Sequence, residues 1–292
     1  MNTLRPIAIL QVIFFLLVAL MENNATGAPV SVDPLDKCNV VWDSPSRDHN
    51  GSMPIGNGDI GMNVWVEQNG DMLLLISKTD AWSENCRLLK LGRIRVALSP
   101  NPFLDGSPFL QTLRLRQGEI QIVAGKDEKA VTLKIWVDVN NPVIHLEADS
   151  SSPFDMQAEL EVWRTEKREL TGQEAVSAYG LHGGPNPIYV YPDTVVSDRE
   201  NQIVWYHRNE SSIWEDNLRH QGMADLIPRM TDPLLHRTFG GCIAGTEFVS
   251  ESATTLKSQA PQNHFFLSIH PLCMQTETAE AWLEKLEKSV ST

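Results

Sequence analysis

Clustered basic residues are missing from this sequence of 292 residues, which has 24 Lys and Arg against 37 Asp and Glu and a formal net charge of −13. Nucleic acids and anionic membranes are recognised by grouped Lys and Arg side chains, and here the basic residues are scattered. The composition therefore argues against a nucleic-acid partner and a membrane-surface partner. Solubility accounts for the excess of acidic residues.

Cysteine is scarce, and its spacing excludes a zinc knuckle because Cys38, Cys86, Cys242 and Cys273 form no C-x-x-C motif. Four cysteines allow three disulfide pairings, and the sequence leaves bridges and buried free thiols equally open. None of the eight histidines forms an H-x-x-x-H or similar cluster. We therefore predict no metal site and no cofactor.

A single long apolar run is present, at the N-terminus. Arg5 precedes an apolar stretch over 7–21 that only Gln11 interrupts, and small and polar residues follow up to Ala28. The run is shorter than the ~20 residues that a membrane-spanning helix needs. The pattern predicts a signal peptide over 1–28, and hence a secreted or periplasmic protein with no membrane partner after cleavage.

Alternation of apolar and polar residues with a period of two dominates the remainder. It is clear at 94–99, 113–116, 131–138 and 156–163. Such alternation indicates half-buried antiparallel strands, and further strands are predicted at 73–76, 120–123, 143–147, 203–206 and 265–269. Turn residues predict a hairpin at 69–71 and loops at 140–142 and 151–153.

Many short strands with frequent turns predict an all-β fold, a large antiparallel two-sheet sandwich over 29–275. Two long stretches, 171–201 and 207–241, do not alternate, and long loops of this kind are usually functional or mobile. The second contains a helix-prone piece at 214–226. At the C-terminus, Ala279, Trp282 and Leu286 fall at helical spacing, which predicts an amphipathic helix over 276–292.

Four segments carry a family resemblance. Residues 54–65 (PIGNGDIGMNVW) combine a glycine-rich turn with an apolar strand, and the glycines indicate tight turning or close backbone contact. The other segments are 77–82 (SKTDAW), 88–93 (LLKLGR) and 205–211 (WYHRNES). Together they resemble the N-terminal β-sandwich domain, of supersandwich type, of fucosidase-like glycoside hydrolases. The sequence is more similar still to an uncharacterised, domain-of-unknown-function family of secreted bacterial proteins with the same start.

The resemblance implies a role without catalysis. In the fucosidase family the catalytic acid and base lie in a helical barrel that follows this domain, and no position here inherits those roles. The resemblance thus implies a helical catalytic domain as partner, with the 276–292 helix as the start of a linker toward it. The candidate carboxylates by type are Asp59, Asp80, Glu84, Glu210, Glu215 and Asp216, and their spacing pairs no two of them as a glycosidase requires. We therefore predict no catalytic residue.

Aromatic and polar residues indicate a carbohydrate-binding surface. Tryptophan rings cover the apolar C–H faces of sugars, and neighbouring polar groups bind the hydroxyls. The candidate binding residues are Asp80, Trp82, Trp205, His207, Arg208 and Asn209. The alternative interpretation of 207–210 is a local network that fixes the long loop. For Trp136 and Trp163, packing under a loop or a neighbouring domain is favoured over sugar stacking.

Three functions follow as hypotheses. The first is an exported, non-catalytic domain that supports or completes the carbohydrate site of a fucosidase-like glycoside hydrolase. The second is a free-standing carbohydrate-binding module, and the third is a degenerate domain without a ligand. The sequence names neither the sugar nor the linkage.

Overall fold

Strands dominate the protein, which confirms the predicted all-β class. The computed structural model describes residues 33–104, 106–179, 184 and 186–291, and the predicted signal peptide over 1–28 lies outside them. Residues 33–38 belong to one unit, with a short 3-10 helix at Pro34–Cys38, and a second unit begins at Asn39. None of the described helices is both long and apolar enough to cross a membrane.

The described strands are short at the edges and long at the centre of the sheet. They are β1 Val40–Trp42, β2 Met53–Gly56, β3 Ile60–Val66, β4 Met72–Trp82, β5 Leu88–Ser99, β6 Phe109–Arg114, β7 Glu119–Ala124, β8 Val131–Val137, β9 Ile144–Glu161, β10 Arg168–Glu169, β11 Tyr189–Val190, β12 Thr194–Val196, β13 Gln202–Arg208, β14 Arg237–Ala244, β15 Phe248–Ser252, β16 Thr255–Ser258 and β17 Gln262–Gln275. The described α-helices are α1 Gly172–Tyr179, α2 Trp214–His220 and α3 Ala279–Val290, and further 3-10 helices lie at His49–Gly51, Asp127–Lys129 and Ala224–Arg229.

Fifteen of these strands form one antiparallel sheet that folds over at β9 into two layers. The larger layer has the order β1-β6-β7-β8-β9-β17-β14-β13-β12. The smaller layer contains β2, β3, β4, β5, the second half of β9, β16 and β15. The predicted two-sheet sandwich is therefore confirmed, with β9 shared by both layers.

The loop predicted at 151–153 is wrong, because these residues lie inside β9. Strand β17 pairs His264 with Asp149 but Gln262 with Phe154, so residues 150–153 bulge out between the two pairs. A bulge of this kind bends a strand without ending it. The Ser-Ser-Pro signal therefore marks the point where β9 leaves the larger layer and enters the smaller one.

The core fills the space between the layers with the inward positions of the alternating strands. Leu74 and Ile94 of the smaller layer and Ile135 and Phe239 of the larger layer belong to the same buried cluster. Each of these side chains is at least nine-tenths buried. The period of two in the sequence thus reports the two sides of each layer.

Helix α3 lies on the outer face of the larger layer, which is the face directed away from this core. Thr278 caps the helix by accepting a hydrogen bond from the Ala281 amide at 3.2 Å. Trp282 and Leu286 are buried against Val204 and Cys242 of β13 and β14. The apolar stripe of the helix is therefore satisfied by the sandwich itself.

We expect Trp282→Ala to destabilise the protein by about 3 kcal/mol, since a buried tryptophan leaves a cavity that a surface helix refills only in part. Urea unfolding of the variant measures this loss. The exposed neighbour Glu284→Ala is the control and should change stability by less than about 0.5 kcal/mol. Equal stability of the two variants would contradict the packing described for α3.

Candidate functional site

One end of the sandwich gathers most of the residues that the sequence singles out. Strand β4 ends at Trp82 and β13 ends at Arg208, while β14 begins beside them at Arg237. Arg237 donates a hydrogen bond to the Asp80 carbonyl at 3.2 Å, which ties the two layers together. We call this end, with the segments that connect its strands, the loop end.

The glycine-rich turn between β2 and β3 forms one wall of the loop end. Gly58 has φ of +96°, a conformation that a residue with a Cβ atom rarely adopts. The Asn57 side chain accepts hydrogen bonds from the amides of Asp59 at 3.0 Å and Ile60 at 2.8 Å. These bonds close the turn and hold Asp59 at its tip.

An open cleft of about 400 Å³ lies against this turn, and we call it the rim cleft. Its lining includes Asp59, Lys78, Thr79 and Leu88. The Lys78 ammonium donates to Asp59 at 2.8 Å and to Asp80 at 3.0 Å, and the Thr79 hydroxyl also donates to Asp59, at 3.1 Å. The lysine is buried, whereas both carboxylates are almost half exposed.

The two carboxylate partners of Lys78 favour its charged form. Burial opposes the charge on Lys78, but the hydrogen bonds to Asp59 and Asp80 outweigh it and raise the pKa of the ammonium. Asp59 at the cleft and Asp80 next to it in the ion pair are therefore two exposed carboxylates that one buried cation fixes. Such groups accept hydrogen bonds from a ligand without having to be reoriented.

The rim of the loop end also carries apolar surface. Trp82 is 40% exposed and Leu88 is 51% exposed. The two residues are cross-strand partners on β4 and β5, so their side chains share one face. Leu88 lines the rim cleft, and Trp82 is its partner on the neighbouring strand.

A buried polar network, which we call the loop-end network, lies beneath the rim. His207 is 1% exposed and sits between two carboxylates. Its Nε2 is 2.8 Å from Glu84, and its Nδ1 is 3.0 Å from Asp193. Arg164 donates to Asp193 at 2.7 Å, and Asn85 donates to Glu84 at 2.9 Å.

The two acids that flank His207 favour its imidazolium form. Desolvation opposes the charge, but the hydrogen bonds and charges of Asp193 and Glu84 prevail and raise the pKa of the ring. Only the protonated ring has two N–H donors, one for each carboxylate. The charge links Glu84, from the β4–β5 turn, to Asp193, from the long segment before β12.

Arg208 and Asn209 hold the loops rather than face solvent. Arg208 donates to the Thr238 hydroxyl at 2.8 Å and to the carbonyls of His236, Thr276 and Glu277. The Asn209 side chain donates to the carbonyls of Trp82 at 3.0 Å and Leu234 at 2.9 Å. With His207, these residues match the alternative interpretation of 207–210 as a network that fixes the long loop.

Trp205 needs a correction, because the structure places it in the core with 1% exposure. Its indole N–H donates to the Leu91 carbonyl at 2.8 Å, and Gly92 and Gly241 pack against its ring. No ring face remains free for a sugar, so Trp205 is removed from the candidate binding residues. His207, Asn209 and the Arg208 side chain are buried and are removed as well. Trp205 lies two residues after the inward-facing Ile203 on the same strand. This period of two is the sequence signal that identifies it as a core residue.

Of the six candidates, Asp80 and Trp82 therefore remain as exposed candidates, and the lining of the rim cleft adds Asp59 and Leu88 as further candidates. Sequence reasoning missed Asp193 and Arg164 altogether. Both come from the stretch after β9 that shows little regular alternation, and they meet His207 only through the tertiary fold. No local pattern marks them.

Among the residues that the structure describes, one group of potential metal ligands lies elsewhere, on the outer face of the larger layer. The donor atoms of Glu147, Asp149 and His264 lie within 4.8 Å of one another. Asp149 is already bonded to His264 at 2.8 Å, and Glu147 accepts from Lys134 at 3.0 Å. These partners satisfy the cluster without an ion. All four cysteines are free thiols, which settles the question of pairing that the sequence leaves open.

The fold and the loop end define the class as a two-layer antiparallel β-sandwich with an acidic and aromatic rim. The chain belongs to the family described as a domain of unknown function (DUF5703), whose family model matches residues 41–292. No curated protein matches the chain. The family description names no activity, so function has to be argued from the site.

Proposed function

We propose that this protein is an exported, non-catalytic domain that contributes a carbohydrate-contacting surface to a fucosidase-like glycoside hydrolase. The observation that carries the proposal is the rim cleft, which Asp59, Lys78 and Leu88 line. Asp80 is hydrogen-bonded to the same Lys78, and Trp82 is the register partner of Leu88. The resemblance of residues 54–65 and 77–82 supports it further, because these segments build the cleft. The apolar run before residue 28 supports export.

The chemistry of the rim cleft suits a sugar. A pyranose has apolar C–H faces and a periphery of hydroxyl groups, so it needs an aromatic platform next to hydrogen-bonding side chains. Trp82 supplies the platform, and the carboxylates accept bonds from hydroxyls. A volume of about 400 Å³ lies within the range of small-ligand sites.

The same geometry favours binding over turnover. A glycosidase needs one carboxylic acid that is protonated before it can act as general acid. Asp59 and Asp80 both accept a hydrogen bond from the Lys78 ammonium instead, at 2.8 and 3.0 Å. Glu84 is buried and bonded to His207, so it has no access to a substrate.

Glycan binding by the purified protein tests the proposal. We expect Trp82→Ala to weaken the binding of a retained glycan by about tenfold or more, which corresponds to a loss of about 1.4 kcal/mol. Asp80→Asn should weaken it as well, because a charged acceptor becomes a weaker neutral one. Asp149→Asn is the matched control, since Asp149 is an equally exposed carboxylate outside the loop end. A glycan array on which no glycan is retained, or on which Trp82→Ala binds as well as the parent protein, would refute the carbohydrate site.

The alternative functions are distinguished by the genome and by the same array. A helical-barrel reading frame directly downstream supports the accessory domain. Tight glycan binding without such a neighbour favours a free-standing carbohydrate-binding module. If neither is found, the third hypothesis, a domain without a ligand, is the one that remains.

A further inference from the structure

A second open cleft, of about 430 Å³, lies on the outer face of the larger layer, and we call it the outer-face cleft. Its lining includes Glu200, Gln202, Thr246, Phe266, Ser268 and Val290. Gln202, Ala244 and Ser268 are register partners across β13, β14 and β17, so the floor is a row across three strands. The end of α3 at Val290 forms a wall.

An aromatic platform borders this cleft. Phe266 is 36% exposed, and its ring centroid lies 5.3 Å from that of His145 and 6.2 Å from that of Trp136. Trp136 and His145 are themselves 4.9 Å apart. The three rings support one another on the sheet surface, so the Phe266 ring is held in place without a ligand.

The charge of the cleft selects against anions. Among its described lining residues none is Lys, Arg or His, and Glu200 is acidic. Helix α3 ends at Val290, which lines the cleft, so the negative end of the helix dipole lies at the cleft. Phosphate, sulfate and carboxylate groups would therefore be repelled.

Ser268 has a hydrogen-bonding position left for a ligand. Its hydroxyl donates to the Ala244 carbonyl at 3.3 Å, and its oxygen lies 3.0 Å from His270 Nε2. Burial and the charge of His145 lower the pKa of His270 to about 4, so the ring is neutral. Because the Ser268 proton is donated to Ala244, the contact with His270 assigns the ring proton to Nε2, which donates to Ser268. A hydroxyl oxygen has two acceptor positions, and one remains for an incoming O–H group.

We propose that the outer-face cleft is a second carbohydrate site, which takes an uncharged sugar with its C–H face on Phe266 and its hydroxyls on Gln202, Thr246 and Ser268. An aromatic ring next to neutral amide and hydroxyl groups, without a cation, is the combination that such a ligand requires. The site is separate from the rim cleft, so it stands whether or not the rim cleft binds a glycan.

Affinity electrophoresis with neutral polysaccharides and their sulfated derivatives tests this site. We expect retardation by a neutral polysaccharide, a loss of at least about tenfold in affinity for Phe266→Ala, and near-complete recovery in Phe266→Tyr, which keeps the ring. Val123→Ala is the matched control, because Val123 is equally exposed on the outer face of the same layer. Thr246→Arg fills the cleft from an exposed position and should abolish binding even if Phe266→Ala fails to fold.

The pattern of variants separates this site from the rim cleft. Binding that is lost in Phe266→Ala and Thr246→Arg but kept in Trp82→Ala supports the outer-face cleft. Binding that is lost only in Trp82→Ala overturns it and leaves the proposed function standing. Retention of no neutral polysaccharide, preference for the sulfated form, or an equal loss in Val123→Ala overturns it as well.

Discussion

We expect His207→Gln to destabilise the protein by about 3–5 kcal/mol, the loss that follows when one partner of a buried ion pair is removed. The substitution leaves Glu84 without its cation and Asp193 with Arg164 alone. Urea unfolding at pH 6 measures the change. His264→Gln is the matched control, because His264 forms a similar pair with Asp149 on the surface, and its loss should stay within about 0.5 kcal/mol.

The dependence on pH distinguishes this network from ordinary packing. The folded-state pKa of His207 is raised, so folding retains a proton that the unfolded chain releases. The stabilisation is complete below the unfolded pKa of about 6.5 and is lost as pH rises through the folded pKa. His145 and His270 have lowered pKa values, so their contributions change only below this window.

Unfolding free energies measured between pH 6 and 9 should therefore fall more steeply for the parent protein than for His207→Gln. Glu84→Gln should give an intermediate slope, because one of the two carboxylates that raise the His207 pKa is gone. The double variant His207→Gln/Glu84→Gln should lose less unfolding free energy than the two single variants lose together. In the double variant the amide introduced in place of His207 no longer faces an unpaired carboxylate. Parallel pH profiles for parent and His207→Gln would contradict the charged bridge.

The fold could be predicted from the sequence because its determinants are local. Alternation at 131–137 reports directly which side of β8 faces the core, and this strand lies at Val131–Val137. The bend of β9 could not be predicted, because a Ser-Ser-Pro run suits a loop and a bulge equally well. Only pairing with Gln262 and His264 decides between them.

The sequence predicts where the candidate site lies, but not which of its side chains are buried and which are exposed. The motifs at 77–82 and 205–211 meet at the loop end through the contact of Asn209 with the Trp82 carbonyl. Which of their side chains are buried depends on segments far away in sequence. Asp193 and Glu84 make His207 part of a buried network, although the sequence alone predicts that it begins a loop and contacts a ligand.

We expect Trp205→Ala to destabilise the protein by about 3–5 kcal/mol, or to prevent folding, since a fully buried tryptophan leaves a large cavity. The substitution also removes the donor to the Leu91 carbonyl. Trp205→Phe keeps most of the ring and should cost about 1–3 kcal/mol, the penalty for a buried polar group left without its partner. Thermal and urea unfolding measure both.

Trp82→Ala is the comparison that separates a core residue from a surface residue. Trp82 is 40% exposed, so its replacement should leave the unfolding free energy nearly unchanged while glycan binding falls. Trp205→Ala should lower the unfolding free energy instead. The fraction of this variant that is folded should bind the glycan with the affinity of the parent protein. A stable Trp205→Ala protein with lost glycan binding would return Trp205 to the ligand site and contradict its place between the two layers.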